Sequence, residues 1–309
     1  MLIENCLFLY IPTPFNPRKI KRMYFFDVEK VPCPNKSDFY QNYVRGSQPV
    51  ILKNLSKNWP ARDKWTFDFF KNEYGEMEVP MYDENYHQSG SGYMQPVVHK
   101  KFKDYLKIIE KEPTNLRLHN FQIMKRAPEL SKDYKKPEIM NGFMDFALLF
   151  FGGKNSALNL HYDIDCSHVF LTHFQTEKTV YLFPPTDSKN LYKLPFTNHS
   201  HLDILNPNFE EFPASRNLKG YKAVIEHGET LFIPKLWWHY VHYSEGGYSL
   251  ALRANEKLST RARGLYNIIR LYTIDRGLNF LFKESWKQWK YRKAKQRAES
   301  TLSSFRKAV

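Results

Sequence analysis

Between residues 148 and 255 the chain alternates short apolar runs with turn-forming residues. Val169-Phe170-Leu171-Thr172-His173-Phe174 is one such run, Thr179-Val180-Tyr181-Leu182-Phe183 a second, and Thr230-Leu231-Phe232-Ile233 a third. Runs of this length, rich in β-branched and aromatic residues, predict buried strands of a β-sandwich or barrel wall. Upstream, residues 48–53, 79–82, 92–98 and 116–124 read as strands. Residues 38–44, 65–75 and 102–111 read as helices, with Gly75 as a stop signal. Residues 128–133 and 143–148 read as short helices or turns. Residues 1–37 hold Pro12, Pro14, Pro17, Pro32 and Pro34 and read as an irregular segment. This places the main domain at 38–255, followed by a helical extension over 256–309.

From residue 261 onward the period changes to that of a helix. Leu278, Leu281, Phe282, Trp286 and Trp289 fall on one stripe, and Lys283, Lys287 and Lys290 on the other side. Charge sharpens this picture. The chain of 309 residues carries a net charge of +14. From Arg253 to Val309 there are 15 Lys/Arg against 4 Asp/Glu, so most of the excess lies in this tail. A basic amphipathic tail covers its own domain, pairs with a second subunit in a homo-oligomer, or meets an anionic membrane surface or glycolipid. Nucleic acid is not favoured, because no recognised nucleic-acid motif accompanies the charge.

Three widely spaced cysteines (Cys6, Cys33, Cys166) argue for a reducing compartment and against a thiolate zinc site; Cys166 reads as structural filler. No apolar run approaches the roughly 18–20 residues of a membrane span. The opening residues lack the basic lead and cleavage site of a signal peptide. Translation from Met23 is an alternative start. The expected location is the cytoplasm, with peripheral attachment to the inner face of the inner membrane through the tail.

Against this background, His161-Tyr162-Asp163 stands out. Side chains two apart on a strand share a face, so an imidazole and a carboxylate point together. A second His from a distant strand completes two imidazoles and one carboxylate, a facial set that suits non-haem Fe(II). His201-Leu202-Asp203 and His227-Gly228-Glu229 repeat the spacing. His201 lies among Pro195, Asn198, Asn206 and Pro207, which is loop chemistry, and His227 precedes a strand at a turn. Only His161 follows an apolar strand. The distant ligand is expected in Trp237-Trp238-His239, with the two tryptophans as packing. His242, three residues on, faces the opposite side of a strand.

These residues, with Lys178, Leu182-Phe183-Pro184-Pro185, Asn206-Pro207, Phe212-Pro213, Gly228-Glu229-Thr230-Leu231-Phe232-Ile233-Pro234 and the opening Pro49-Val50-Ile51-Leu52…Trp59-Pro60…Lys64-Trp65-Thr66, resemble the Jumonji-C, cupin-like Fe(II)/2-oxoglutarate dioxygenases over roughly residues 38–255. The asparaginyl hydroxylase of the hypoxia-inducible factor shows the same motif order. The resemblance implies a mainly β double-stranded β-helix of the cupin or jelly-roll kind, with helices outside. It implies iron on His161, Asp163 and His239, and 2-oxoglutarate with its distal carboxylate on Lys178. O2 consumption would yield succinate, carbon dioxide and a hydroxylated C–H bond. Where the family often has Thr, three residues before the first iron His, Leu158 stands here, and Asn159 is the expected substitute hydrogen bonder. The family's amide before the lysine has no clean counterpart; His168, Thr172 and His173 are the polar candidates. Arg253 is expected at the co-substrate from the strand after His239. The run His161-Tyr162-Asp163-Ile164-Asp165-Cys166-Ser167-His168-Val169-Phe170 is similar to bacterial cupin-like enzymes that hydroxylate the Kdo sugar of lipopolysaccharide. That acidic, membrane-embedded substrate suits the basic tail. A protein side-chain hydroxylase and a non-catalytic cupin binding module are the alternatives.

Overall fold

The computed structural model describes residues 22–88 and 92–307. The question of the start at Met1 and the presence of Cys6 lie outside those residues. The chain opens with β1 (Tyr24–Asp27) and β2 (Lys30–Val31), then α1 (Lys36–Phe39), which widens into a π turn over Tyr40–Arg45, and β3 (Val50–Leu52). Helices α2 (Ala61–Lys64) and α3 (Phe67–Tyr74), strands β4 (Glu78–Met81) and β5 (Val98–Lys101), and α4 (Phe102–Lys111) follow. The barrel strands are β6 (Arg117–Phe121), β7 (Phe143–Gly152), β8 (Ala157–His161), β9 (His168–Phe174), β10 (Lys178–Phe183), β11 (Lys219–Ile225), β12 (Thr230–Ile233), β13 (Trp238–His242) and β14 (Gly247–Ala254). Helices α5 (Leu258–Arg270) and α6 (Arg276–Lys307) close the chain.

Two sheets face each other. One runs β1-β11-β10-β13-β8, the other β2-β3-β12-β9-β14-β7-β6, and β4 pairs with β5 apart from both. Period-two alternation sorts the side chains. Leu148, Val169, Leu171, Val180, Leu182, Ile225, Leu231, Ile233, Val241 and Ala251 fill the space between the sheets. Their neighbours in sequence face outward. Phe151, Phe174 and Tyr248 meet Phe39, Trp65, Phe70, Phe102 and Tyr105 from the helical layer. Such aromatic packing buries apolar area on both sides of the larger sheet, which is why its strands look continuously hydrophobic. This is the expected jelly-roll class.

Four local expectations change. Residues 24–31 were expected to be irregular, yet β1 adds in parallel to β11 and β2 to β3, as short edge strands. Residues 143–148, expected as a short helix or turn, begin the ten-residue β7, paired with both β14 and β6. Both faces of β7 carry apolar residues, so no strand period is visible there. Gly92, at φ 80°, belongs to a turn in which Gln95 N–H donates to its carbonyl at 3.0 Å, and the strand starts only at Val98. The fourth change concerns the tail. Lys283 (φ 39°, ψ −111°) breaks α6, so the expected single stripe does not exist. Trp286 and Lys290 are both buried, while Leu281 and Phe282 are exposed. The tail is also tied down. Asp275, fully buried, accepts from Tyr93 Oη, from Trp286 Nε1 at 2.9 Å and from Lys290 Nζ at 2.7 Å. Ala294 and Ala298 pack on Tyr192, Leu194 and Ala214.

Candidate active site

The mouth of the jelly roll holds His161 at the end of β8, His239 on β13 and Asp163 in the turn that follows β8. Their nearest ligand atoms lie within 4.8 Å of one another. His239 pairs directly across from His161 in the β13/β8 ladder, with ring centroids 4.2 Å apart, and its Nε2 is 3.9 Å from Asp163 Oδ2. Each imidazole is held by its other nitrogen. His161 Nδ1 donates to the Asn159 carbonyl at 2.7 Å, and His239 Nδ1 to the Trp237 carbonyl at 3.1 Å. This hydrogen bonding fixes the tautomer and leaves both Nε2 lone pairs free for a cation. Burial pushes both imidazoles down, His161 to about 3, so both are neutral at physiological pH. Burial alone would raise Asp163. The Arg253 guanidinium, at 2.6 Å, and the two imidazoles outweigh it and hold the carboxylate below its usual range. Two neutral imidazoles and one ionised carboxylate are the donor set a divalent iron needs, so these residues fit the ion.

A cavity of about 390 Å³ runs from this triad into the barrel. At its far end lies Lys178, fully buried, donating to Ser249 Oγ at 2.8 Å and Tyr243 Oη at 3.1 Å. No carboxylate pairs with it among the described residues. Burial pushes its ammonium down to about 7. A buried cation with only neutral partners is costly, and a carboxylate ligand would relieve the cost. His173, one of the expected polar candidates, supports this corner by bonding Ser249 Oγ at 3.0 Å.

Of the other expected co-substrate residues, Thr172 and Asn159 turn away from the cavity, whereas Arg253 lines it. Thr172 faces the outer layer of β9, its hydroxyl 2.8 Å from that of Thr230. Inward positions on this strand are Val169 and Leu171, so the alternation turns Thr172 away. Asn159 sits at a bulge in β8. The register against β13 slips there, which turns Leu158 and His161 to the same face although they are three apart. The Asn159 side chain leaves the cavity and donates to the Glu84 carbonyl at 2.9 Å. Arg253 does point inward, but its guanidinium is committed to Asp163 at 2.6 Å and Asp165 at 2.9 Å. It orients the Asp163 carboxylate. His168, the remaining candidate, accepts from Lys235 N–H at 3.2 Å.

The competing motifs are far from the triad's geometry. Asp203 accepts from Leu205 and Asn206 N–H at 2.9 Å, as a turn cap, and His201 lies against Tyr291. His242 is on the outward face of β13, opposite Ala157. Trp237 and Trp238 are buried, as expected of packing residues.

Other functional candidates escaped the sequence reading. Tyr243 and Ser249 stand at inward positions in register with His239 and Arg253, so the period-two rule could have found them. Arg117 and His119 line the cavity from β6, and His87 from the short turn between β4 and β5. Arg117 Nε and Nη2, His119 Nδ1 and His87 Nδ1 have no hydrogen-bond partner among the described residues. The cavity also takes Ile268, Leu271 and Tyr272 from the C-terminal helices. α5 presses on the turn that carries Asp163: Gly264 lies so close that a Cβ there would be 2.3 Å from the Asp165 carbonyl oxygen.

Comparison with known proteins agrees with this geometry. Residues 36–255 match the model of the cupin-like domain. The chain belongs to the cupin-like domain family. It is similar to JmjC domain-containing protein D of Dictyostelium discoideum, 26% identical over 249 residues, covering 70% of this chain and 54% of that protein. It is also similar to lysine-specific demethylase JMJ30 of Arabidopsis thaliana, 28% identical, covering 69% and 51%. The tRNA wybutosine-synthesizing protein 5 of Gallus gallus is 30% identical, covering 69% and 72%. The chain thus spans about half the length of the first two. JmjC proteins use Fe(II) and 2-oxoglutarate, and this cupin-like chain presents a His-Asp-His set that could hold the metal. These relatives lend no support to Kdo or to the hypoxia-inducible-factor asparagine as the substrate.

Proposed function

We propose that this cupin-like protein is an Fe(II)- and 2-oxoglutarate-dependent hydroxylase. The observation that carries the reading is one cavity with two complementary ends: a neutral-imidazole, ionised-carboxylate triad at one, and the unpaired Lys178 ammonium at the other. Iron would be held by His161, Asp163 and His239. Bound together, Fe(II) and 2-oxoglutarate supply O2 activation, with succinate and carbon dioxide as products. The chain's residues set the geometry. Lys178, with Tyr243 and Ser249, would take the distal carboxylate through charge-assisted hydrogen bonds. Arg253 keeps Asp163 ionised and oriented. The apolar cavity wall of Leu158, Val169, Leu171 and Val241 limits water around the reacting group.

The substrate enters beside Arg117, His119 and His87. The unpartnered Arg117 N–H groups favour a substrate rich in hydrogen-bond acceptors, while the two imidazole nitrogens can donate or accept. The acidic Kdo sugar of a lipid-linked saccharide answers that description and is the substrate we put first. A protein side chain is the second reading, favoured by the likeness to a lysine-specific demethylase. The test is 2-oxoglutarate-dependent succinate formation by the purified, Fe(II)-loaded protein, followed by mass spectrometry of Kdo-lipid A and of methyl-lysine and asparagine peptides. One added oxygen on Kdo, absent with Asp163→Ala, supports the first reading. Loss of a methyl group or an added oxygen on a peptide replaces it with the second. Absence of succinate under all conditions, with metal bound, leaves the non-catalytic binding module.

A further inference from the structure

The C-terminal helices carry a face that the core does not explain. Leu265, Ile269 and Tyr272 are 59%, 52% and 50% exposed, at helical spacing along α5 and the turn after it. At the break in α6 three consecutive bulky residues protrude: Phe280, Leu281 and Phe282, at 80%, 67% and 55% exposure. Each large exposed apolar residue costs free energy in water, and this cluster is unusual for a chain otherwise well packed. Cations accompany it. Arg261 and Lys283 are exposed, the Arg270 guanidinium sits 5.7 Å from the Tyr266 ring and that of Arg276 5.3 Å from the Tyr272 ring. Acids do not offset them. Of the few in this segment, Asp275 is buried against Lys290, and Glu284 is engaged by Lys287 and Gln288.

We infer that this face docks on an anionic lipid bilayer, with Phe280, Leu281 and Phe282 entering the interface and the basic residues meeting lipid phosphates. Apolar side chains flanked by cations match the two layers such a surface offers. A second copy fits worse: an isologous contact would set the same basic residues against one another. RNA fits worse too, because Leu265, Ile269 and Leu281 gain nothing from a phosphate backbone or from base stacking. No helix among the described residues is long and apolar enough to cross a membrane, so the docking is peripheral. Tyr272 belongs both to this face and to the cavity wall, together with Ile268 and Leu271 behind it. Docking therefore brings the cavity entrance to the headgroup layer.

The test is flotation of the full-length protein with vesicles of phosphatidylcholine alone and of phosphatidylcholine mixed with phosphatidylglycerol. Binding should require phosphatidylglycerol and weaken with salt. The F280S/L281S/F282S variant should lose roughly tenfold or more in affinity. Arg261→Gln with Lys283→Gln should weaken the preference for phosphatidylglycerol several-fold. All these positions are exposed, so metal binding and 2-oxoglutarate turnover should stay intact, which separates this inference from the proposed activity. Three results would overturn it: no vesicle binding by the parent protein; a dimer in sedimentation that the F280S/L281S/F282S variant dissociates; or RNA binding, without vesicle binding, that the Gln variants abolish.

Discussion

Lys178 is the residue whose chemistry is most exposed to test. A Lys that titrates near 10.5 when unfolded and near 7 when folded binds its proton less readily in the native state. Between those values the unfolded chain holds more protons, so stability from this group rises with pH, and the penalty of burying the charge is fullest below about 7. Lys178→Met should therefore raise the melting temperature of the metal-free protein at pH 6–7 while abolishing 2-oxoglutarate-dependent succinate formation. The gain should shrink as pH rises toward 10; a melting temperature that falls at every pH would sink the argument. The same logic predicts that 2-oxoglutarate binding near pH 8 takes up a proton, because the arriving carboxylate raises the lysine again. Calorimetry in buffers of different ionisation enthalpy reads that uptake directly. Arg253 acts through Asp163. Arg253→Met leaves two carboxylates, Asp163 and Asp165, without their shared partner. We expect metal affinity to fall by roughly 10–100-fold, measured by Mn(II) titration, whereas His201→Ala should leave it unchanged. His161, Asp163, His239 and Lys178 were singled out by a distinctive motif set; strand alternation does not account for Asp163, which lies in the turn after β8. Thr172 was not legible, since the sequence 170–174 is apolar or aromatic on both faces and does not say which one looks inward.

At the scale of elements, what escaped the sequence is what tertiary pairing imposes. β7 lacks a strand period because it is buried between neighbours on both sides. The bulge in β8 is a register slip against β13, and nothing in Ala157-Leu158-Asn159-Leu160-His161 announces it. The strands and helices with a clear period or cap were read correctly, as with α3, where Thr66 Oγ1 accepts the Phe69 N–H at 3.0 Å. The contact between α5 and the turn that carries Asp163 was invisible for the same reason as the bulge. It predicts that Gly264→Val, which forces a branched side chain against the Asp165 carbonyl, shifts the turn that carries Asp163. Metal affinity should drop while Leu265→Ser, on the exposed side of the same helix, leaves it intact. Equal metal affinity in the two variants would mean that the turn holds Asp163 without help from α5.

For the whole molecule, the decisive contact is the buried cluster that ties the C-terminal helices to each other and, through Tyr93, to the loop before β5. Asp275 and Lys290 are both buried, with Tyr93 and Trp286 completing the carboxylate's hydrogen bonds. Such a pair contributes little net stability over a well-packed apolar pair, but removing one partner strands a charge and costs about 3–5 kcal/mol. Lys290→Met alone should therefore be strongly destabilising and should loosen α6, raising its amide exchange. Asp275→Leu combined with Lys290→Met should recover much of that loss, although Tyr93 and Trp286 would then keep unpaired donors and hold the recovery short of complete. The consequence reaches the active site, because Ile268, Leu271 and Tyr272 wall the cavity only while these helices stay seated. Lys290→Met should accordingly alter turnover of the primary substrate more than the slow decarboxylation of 2-oxoglutarate without it, whose residues lie inside the barrel. If both rates fell together, the helices would be supporting the barrel as a whole, and their role in shaping the substrate entrance would have to be abandoned.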